Sequence, residues 1–322
     1  MRSEAKVKYL HDFTGRRSSR HAVILAGGDG TRLKALTRLV AGDESPKQFC
    51  PIFGNETLLE KTRNRTSLRI SPDNTHYSLT QKHERYFAGP LDSVHSSRLV
   101  VQPENRGTAP AILYSLLRLA KTAADATVAF FPSDHYFSDD LSFMNHVDGA
   151  FRTIEADPRS IVLLGIEPDA AETSYGWIEP AKSLFGDLAR SVSRVGRFWE
   201  KPTAGVASKL MLSGCLWNSF VMVGKVETFI DLFRKHLPEL FRVFAAASTV
   251  FGTEQEMATM RSIYSWIDDS NFSSDVLERS ADRLLVMRVG DVGWCDWGEP
   301  SRVVGTLTSL GMRMPWMEAL AA

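Results

Sequence analysis

A glycine-rich turn near the start of the chain constrains its fold more than any other feature. Residues 27–33 are G-G-D-G-T-R-L; an apolar run at 22–24 precedes them, and P-K-Q-F follows at 46–49. Closely spaced glycines allow positive φ and a close approach of the backbone, so that consecutive N–H groups can face phosphate oxygens. The sequence therefore predicts a strand that leads into a phosphate-binding loop, with Arg32 and Lys47 as countercharges.

Two well-known glycine loops do not match this stretch. The dinucleotide-binding loop requires G-x-G-x-x-G and the P-loop requires G-x-x-x-x-G-K-[ST], and neither spacing is present. A nicotinamide dehydrogenase is therefore disfavoured. A tight strand-to-helix turn without a ligand is the alternative for a Gly-Gly pair. The downstream Arg32 and Lys47 favour phosphate binding over that alternative.

The charge and cysteine content disfavour several classes of function. Lysine plus arginine and aspartate plus glutamate each number 38, so the chain lacks the basic excess that marks nucleic-acid or anionic-membrane binding. Cys50, Cys215 and Cys295 are far apart and form no C-x-x-C pair, so they are expected to be buried thiols in a reducing compartment. No apolar run approaches the roughly 18 residues of a membrane span, and the first residues lack the apolar core of a secretory signal. A cytoplasmic protein that binds neither nucleic acid nor membrane is expected.

Strands and helices are predicted to alternate in the first half of the chain. On the helix between two apolar runs, Ile112, Leu113, Leu116 and Leu117 share one face. This alternation favours an α/β fold with a mainly parallel sheet covered by helices on both sides. After residue 175 the pattern becomes mixed. The predicted strands lie at 22–24, 77–80, 99–101, 127–131, 161–166, 175–180, 192–199 and 215–223.

The glycine loop and P-K-Q-F together resemble the opening motifs of the sugar-1-phosphate nucleotidyltransferases, most closely those of the mannose-1-phosphate guanylyltransferase group. The resemblance implies a Rossmann-like mixed, mainly parallel sheet flanked by helices in a single catalytic domain. Further motifs of that family occur in order, F-P-S-D-H at 131–135, Y-G-W-I at 175–178, E-K-P at 200–202, W-N-S at 217–219 and W-C-D-W-G at 294–298.

The resemblance also implies how the chain is divided. The catalytic domain would span 21–305, with a nucleotide half near 21–170 and a sugar-phosphate half near 171–305. Residues 1–20 are polar and lack hydrophobic periodicity, so they are expected to form a flexible basic arm. Residues 306–322 are expected to form a short C-terminal segment.

Asp134 is the first candidate metal ligand. It lies just beyond a predicted buried strand, and open α/β sheets bind ligands at the carboxyl ends of their strands. Taken alone, an aspartate there is more often a turn former or a helix cap. The resemblance assigns it to magnesium and adds Asp296 as the second carboxylate. Mg²⁺ prefers one or two carboxylates together with phosphate oxygens and water.

The nucleotide contacts are predicted on the glycine loop and on Q-P-E-N-R-G-T at 102–108, which precedes a long helix. In the resembled enzymes the second region borders the purine, and N–H groups at the start of a helix favour anions. The alternative for Thr108 is a helix cap. The predicted contacts are Leu25, Ala26, Gly27, Gly28, Gly30, Thr31, Arg32, Arg106, Gly107 and Thr108.

The sugar phosphate is predicted to bind Gly176, Glu200, Lys201 and Asn218. By resemblance, Lys201 pairs with the phosphate, Glu200 and Asn218 contact the sugar, and Gly176 leaves room for it. The alternative for Glu200 and Lys201 is a surface ion pair before a proline-started helix. The family has glycine where this chain has Phe220, so the pocket floor is expected to differ.

The resembled enzymes transfer a nucleotidyl group from a nucleoside triphosphate to a sugar 1-phosphate and release pyrophosphate. The motifs favour GTP and mannose-1-phosphate as substrates, with Mg²⁺ as cofactor. The alternatives are a uridylyl-, thymidylyl- or adenylyltransferase acting on glucose-1-phosphate, and a catalytically silent regulatory protein that binds nucleotide sugars. Assembly into a homo-oligomer is left open. The predicted catalytic group is Arg32, Lys47, Asp134, Lys201 and Asp296.

Overall fold

The computed structural model describes residues 20–181 and 191–321, and within them nine strands form one sheet. Arg20, which the sequence analysis assigns to the flexible arm, is instead buried and opens the first strand, whereas residues 1–19 of that arm lie outside the described residues. The strands are β1 (Arg20–Leu25), β2 (Thr75–Thr80), β3 (Leu99–Gln102), β4 (Thr127–Pro132), β5 (Ile161–Ile166), β6 (Gly176–Pro180), β7 (Val192–Glu200), β8 (Leu216–Lys225) and β9 (Leu284–Val289).

The sheet has a parallel half and a mixed half. Its strand order is β3-β2-β1-β4-β8-β5-β9-β7-β6, and β8 also pairs with β6. β1 is parallel to β2 and to β4, and β2 is parallel to β3. β8 is antiparallel to β4, β5 and β6, and β7 is antiparallel to β6 and β9. The predicted α/β fold is therefore confirmed, with parallel pairing concentrated in the first half of the chain.

Helices cover both faces of the sheet. Thr57 and Glu60 form a reciprocal capping box at the start of one helix, and Pro238 and Pro300 open two others, where a missing N–H is tolerated. No helix in the described residues is long and apolar enough to cross a membrane. The α-helices are α1 (Lys34–Ala41), α2 (Leu58–Ser67), α3 (Glu84–Phe87), α4 (Thr108–Ala123), α5 (Asp140–Ala156), α6 (Ala204–Leu212), α7 (Val226–His236), α8 (Pro238–Ala247), α9 (Glu256–Tyr264), α10 (Phe272–Asp275), α11 (Pro300–Ser309) and α12 (Pro315–Ala321).

Alternate residues of the central strands contribute to two separate cores. On β4, Val128 and Phe130 join one apolar cluster and Ala129 and Phe131 join the other, because successive side chains of a strand point to opposite faces. Helices α4, α7, α8 and α9 pack in the first cluster, and α5 and α6 pack in the second. Burial on both faces explains why these strands are continuous apolar runs in the sequence.

A third apolar cluster joins the glycine loop to the end of the described chain. Leu33 packs there with Trp297 and with Leu307 of α11, and α12 adds Trp316. The predicted boundary between residues 305 and 306 falls inside α11. The segment that follows residue 305 is therefore packed against the loop that the sequence assigns to phosphate.

Two of the three cysteines are buried, as the sequence predicts for all three. Cys50 and Cys215 are buried, and Cys295 is half-buried. Burial raises the pKa of the Cys50 thiol to about 12 and that of the Cys215 thiol to about 11. Both thiols are therefore protonated at neutral pH and are poor nucleophiles.

Candidate functional site

A cavity of about 300 Å³ lies where the strand order reverses. The chain adds β2 and β3 on one side of β1 and then places β4 on the other side. Ligands of open α/β sheets bind at such a switch point, beyond the carboxyl ends of the strands. Asp134 follows β4 and lines the cavity, as do six of the predicted nucleotide contacts: Leu25, Gly27, Gly28, Gly30, Gly107 and Thr108. Of the other loop residues, Ala26 is buried, and Thr31 and Arg32 are exposed.

Side chains from two neighbouring segments fix the glycine loop. Gln48 Nε2 donates to the carbonyl oxygens of Ala26 (3.0 Å) and Gly28 (2.7 Å). Thr80 Oγ1, at the end of β2, donates to the carbonyl oxygen of Gly27 (2.8 Å). Three successive carbonyl groups are thus satisfied within the protein. The N–H groups of the loop are the donors that an anionic ligand can use.

Lys47 joins three segments of the site. Its backbone packs under Gly30, which has φ of +57° and where a Cβ would lie only 2.9 Å from Lys47 N. Its ammonium donates to the carbonyl oxygens of Asp296 (2.5 Å) and Trp297 (3.0 Å) and lies 3.1 Å from Asp134 Oδ2. An ammonium group has three hydrogens, and each has a protein partner here. The buried Lys47 therefore positions both aspartate-bearing loops, and its contact with a phosphate stays a prediction.

Asp134 is held in its charged form. Desolvation raises the pKa of its carboxyl, but the positive charge of Lys47 and the hydrogen bond from Lys47 outweigh that effect, so the pKa is lowered overall. His135 Nδ1 accepts a hydrogen bond from Trp294 Nε1 (3.2 Å), which assigns the proton of the neutral ring to Nε2. Burial lowers the pKa of His135 to about 4. His135 is therefore a neutral, packed ring beside Asp134.

A chain of hydrogen bonds orients Asp296. Its Oδ1 accepts from Tyr175 OH (2.5 Å) and from the N–H of Gly298 (3.0 Å). Arg302 Nη1 donates to Tyr175 OH (2.6 Å), and Arg302 is in turn paired with Glu172. Burial and the nearby charge of Asp296 raise the pKa of Tyr175, so its phenol stays a donor. The Asp296 carboxylate is thereby fixed through Oδ1.

The two carboxylates suit a magnesium ion whose coordination substrate phosphates would complete. Within the described part of the chain, no three His, Cys, Asp or Glu side chains cluster as a metal site built from protein alone would need. Mg²⁺ does not require such a cluster, because it keeps several waters and takes substrate phosphates together with one or two carboxylates. A Cβ at Gly298 would collide with Asp296 Oδ2 and lie 3.1 Å from Arg32 Nη2, so Arg32 lies beside the same carboxylate.

Arg106 is engaged within the protein. Its Nε donates to the carbonyl oxygen of Tyr264 (3.1 Å) and its Nη2 donates to Glu104 Oε1 (3.0 Å). Its Nη1 lies 3.6 Å from Asp269 Oδ1. Arg106 does not line the cavity that Gly107 and Thr108 line. Its predicted nucleotide contact stays a prediction, and the observed bonds give it a structural role.

Gly107 and Thr108 connect the start of α4 to a distant segment. Gly107 has φ of +86°, and a Cβ there would collide with the carbonyl oxygen of Ser270. Thr108 Oγ1 accepts from the N–H of Phe272 (2.9 Å), and no side chain caps α4. The alternative that Thr108 caps its own helix is therefore wrong.

The predicted sugar-phosphate residues meet around Gly176. A Cβ on Gly176 would lie 3.0 Å from Glu200 Oε2 and 3.4 Å from Asn218 Cβ. Burial raises the pKa of Glu200, and Lys201 Nζ lies 3.3 Å from Glu200 Oε1 with the Lys201 side chain 60% exposed. The ion pair that the sequence offers as an alternative is thus present, and it lies within this cluster.

Phe220 links the predicted sugar-phosphate residues to the cavity at the switch point. It lines the cavity, and its N–H donates to Asn218 Oδ1 (3.1 Å). Its φ of +59° lies in the left-handed region that favours glycine. Ser219 stabilises the irregular backbone there, because its Oγ donates to the carbonyl oxygen of Leu164 (2.6 Å) and accepts from the N–H of Val221 (3.2 Å). An aromatic ring therefore occupies a position whose backbone suits glycine.

Four residues with amide side chains line the cavity and have no individual role in the sequence analysis. They are Gln48, Gln102, Asn105 and Asn271. Gln48 belongs to P-K-Q-F and Gln102 ends β3, so the motif and the sheet edge are signals that point to them. Asn271 follows Asn105 by more than 160 residues, and its local pattern is that of a helix cap, since its Oδ1 accepts from the N–H of Ser273 (2.8 Å). No local signal points to Asn271 as a cavity residue.

Comparison with known proteins agrees with this arrangement. Residues 21–305 match the model of the family described as nucleotidyl transferase. The xanthan biosynthesis protein XanB of Xanthomonas campestris pv. campestris is 29% identical over 296 residues, covering 88% of this chain and 58% of XanB. A mannose-1-phosphate guanylyltransferase of Escherichia coli is 28% identical over 282 residues, covering 86% of this chain and 57% of that protein. The chain thus spans less than two thirds of the length of these two relatives.

A solved structure extends the comparison to three dimensions. The crystal structure described as mannose-1-phosphate geranyltransferase from Thermus thermophilus matches with a TM-score of 0.73 and 28% sequence identity. The match covers 87% of this chain and 76% of that one.

Proposed function

This chain belongs to the nucleotidyl transferase family, and we propose that it transfers a nucleotidyl group from GTP to mannose-1-phosphate, giving GDP-mannose and pyrophosphate. The observation that carries the proposal is the convergence of the glycine loop, Asp134 and Asp296 on one buried lysine, Lys47. The names of the relatives and the order of the motifs support the choice of substrates. The proposal includes a cytoplasmic location.

The proposed reaction is an in-line substitution at phosphorus. A phosphate oxygen of mannose-1-phosphate bonds to the α-phosphorus of GTP, and the bond from that phosphorus to the β-phosphate bridging oxygen breaks. The electron pair of the broken bond leaves with pyrophosphate. Because the attacking oxygen is already anionic, the reaction needs neither a general base nor a covalent nucleophile. The contribution of the protein is orientation and neutralisation of charge.

The residues divide this work between the two substrates. The N–H groups of the glycine loop and the exposed Arg32 hold the triphosphate. Lys201 leaves Glu200 and pairs with the phosphate of the sugar, while Asn218 and Gly176 bound the sugar. Lys47 keeps Asp134 and Asp296 at a fixed separation. Asp134 and Asp296 would hold Mg²⁺, which when bound neutralises charge on the phosphate oxygens.

Two alternative functions remain. One is a transferase with different substrates, and the other is a binding protein without catalytic activity. A uridylyl-, thymidylyl- or adenylyltransferase acting on glucose-1-phosphate would use the same loops and differ in the walls of the two pockets. A silent regulatory protein would bind nucleotide sugars without turnover. The presence of both carboxylates and of the basic residues Arg32, Lys47 and Lys201 favours an active enzyme over that second alternative.

Pyrophosphate release across substrates tests the proposal. The four nucleoside triphosphates are each combined with mannose-1-phosphate and glucose-1-phosphate in the presence of Mg²⁺, and kcat/KM is measured for each pair. We expect the highest kcat/KM for GTP with mannose-1-phosphate, together with formation of GDP-mannose. Buried polar groups left unpaired by a wrong base cost roughly 1 to 3 kcal/mol each, so the base preference is expected to be at least about tenfold.

Reactions without sugar phosphate are the control, because they separate transfer from simple hydrolysis of the nucleotide. A preference for UTP or dTTP with glucose-1-phosphate would overturn the substrate assignment and leave the reaction type standing. Tight binding of GDP-mannose without pyrophosphate release from any pair would instead establish the regulatory alternative.

A further inference from the structure

One short segment contacts both halves of the site. This brace segment, residues 270–278, contains α10 and packs against the start of α4 on the nucleotide side. The carbonyl oxygen of Ser270 accepts from the N–H of Ala109 (3.1 Å), and the N–H of Phe272 donates to Thr108 Oγ1 (2.9 Å). Asn271 lies between these anchors and lines the nucleotide cavity. The brace segment therefore borders the predicted nucleotide cavity directly.

The other end of the brace segment holds the sugar-phosphate residues. Glu278 Oε1 accepts a hydrogen bond from the backbone N–H of Glu200 (2.9 Å). Ser273, in α10, lies close enough to the Glu200 carboxylate to oppose the rise in its pKa. Both contacts reach Glu200, the residue that precedes the exposed Lys201.

The backbone that carries Lys201 needs such support. Lys201 has φ of +47°, a left-handed conformation that a residue with a long side chain rarely adopts unless its surroundings hold it there. Its own N–H donates to the carbonyl oxygen of Tyr175 (3.2 Å), and the preceding N–H, that of Glu200, is held by Glu278. Two successive N–H groups are thus fixed, which sets the direction in which Lys201 leaves the backbone.

We propose that Glu278 is a positioning residue for the sugar phosphate: it holds the Glu200–Lys201 turn at a fixed place relative to the nucleotide cavity through the brace segment. This inference rests on the proposed function, because it concerns the same site. Glu278 is exposed and does not line the cavity, so it acts through Glu200 and Lys201 and does not touch the nucleotide.

The charge of Glu278 and its hydrogen bond predict opposite effects of a substitution on sugar-phosphate binding. Removing a carboxylate near an anion-binding lysine would, by charge alone, strengthen binding of the sugar phosphate. Loss of the hydrogen bond to the Glu200 N–H would instead release the strained turn and weaken binding. A variant that loses the acceptor and a variant that loses only the charge therefore separate the two explanations.

The test compares Glu278→Ala with Glu278→Gln in steady-state kinetics with GTP and mannose-1-phosphate. In Glu278→Ala we expect the KM for the sugar phosphate to rise about three- to tenfold, in line with the net contribution of one solvent-exposed hydrogen bond. The KM for GTP should change less than about twofold. Glu278→Gln keeps an oxygen acceptor for the Glu200 N–H, so its KM for the sugar phosphate should stay at or below that of the wild type.

Glu239→Ala is the matched control, because it removes another exposed carboxylate, one that pairs with Arg242 on α8. It should leave both KM values unchanged. A normally active Glu278→Ala variant with an unchanged or lowered KM for the sugar phosphate would overturn the positioning role while leaving the proposed reaction intact. If the KM for the sugar phosphate rose as much in Glu278→Gln as in Glu278→Ala, the positioning role would also be overturned. Absence of turnover in the wild-type protein would overturn the proposed function itself.

Discussion

Asp134 and Asp296 lie in unlike surroundings, and this difference determines how a substitution of each should behave. Asp134 is the carboxylate partner of the buried ammonium of Lys47. Its replacement by Asn would leave that ammonium without its countercharge, which costs free energy of folding as well as function. Asp296 is fixed by two hydrogen bonds to one oxygen, from Tyr175 and Gly298. An Asn can accept both bonds, so Asp296 permits the cleaner experiment.

We predict that Asp296→Asn lowers metal affinity without changing the fold. The amide oxygen keeps both hydrogen bonds, whereas the negative charge that favours Mg²⁺ is lost. The Mg²⁺ concentration for half-maximal turnover should rise at least about tenfold, because a charge-assisted interaction of this kind is worth roughly 1.5 to 3 kcal/mol. Calorimetric titration of the free protein with Mn²⁺ should show the same loss, and the free energy of unfolding should stay close to that of the wild type.

Asp291→Asn provides the control for this change. Asp291 is exposed and has φ of +55°, a conformation that Asn tolerates as well as Asp does. Its substitution removes one carboxylate close in sequence and should leave metal dependence unaltered. Equal Mg²⁺ dependence of the wild type and Asp296→Asn would remove Asp296 from the metal site.

At the scale of secondary structure, the attachment of α4 to the brace segment joins two segments that both line the cavity. The helix begins directly after Gly107, and the carbonyl oxygen of Ser270 occupies the space where a side chain at position 107 would lie. A loop from the C-terminal half of the chain therefore fixes the opening turn of a helix from the first half. The absence of a single Cβ makes this contact possible.

We expect Gly107→Ala to destabilise the protein by at least about 1 to 3 kcal/mol. The alanine must adopt positive φ, which carries a cost of this size, and its Cβ must also displace the Ser270 backbone. Denaturant unfolding measures the stability, and GTP binding measured by calorimetry should weaken because Asn271 moves with Ser270. Gly89→Ala is the control, since a Cβ there meets nothing within 4 Å. An equal loss of stability in Gly107→Ala and Gly89→Ala would contradict the role assigned to the contact between Gly107 and Ser270.

The elements that the sequence predicts well are those whose burial is continuous. Strand β5 is predicted with its observed bounds, and the pattern of β4 is correct to one residue, because both faces of these strands are buried and leave unbroken apolar runs. The glycine loop and Asp134 are likewise predictable, since parallel strands bring their carboxyl ends to one edge. Strand β9 is absent from the sequence analysis although its residues, L-L-V-M-R-V, form an apolar run.

Other features depend on contacts that local sequence does not encode. Three features of the site each require a partner far along the chain. They are the position of Asn271 in the cavity, the hydrogen bonds of the Lys47 ammonium and the hydrogen bond that Thr108 accepts. Phe220 is a further case, because its left-handed φ contradicts the local preference of a bulky residue and is stabilised by its neighbours in β8. Tertiary structure overrides local preference at these positions, and they all lie at the site.

For the whole molecule, the two ends of the parallel strands have different roles. The carboxyl ends of β1 and β4 carry the candidate site. Near the opposite ends, on β1 and β2, His21 Nδ1 lies 3.4 Å from His76 Nε2, and both side chains are buried. Burial, followed by the charges of His21, Arg98 and Arg118, lowers the pKa of His76 to about 4. His76 is therefore expected to contribute acid sensitivity at a distance from the site.

We predict that mild acid destabilises this protein through His76. In the unfolded chain the histidine binds a proton near pH 6.5, whereas in the folded protein it stays neutral until about pH 4. Between these values the unfolded state binds more protons, so His76 by itself lowers the free energy of unfolding by roughly 2 kcal/mol between pH 7 and pH 5. Denaturant unfolding at both values should show a smaller loss in His76→Gln, which cannot take up the proton, and an unchanged loss in His95→Gln at an exposed position. The same loss in His76→Gln as in the wild type would assign the acid sensitivity to other groups.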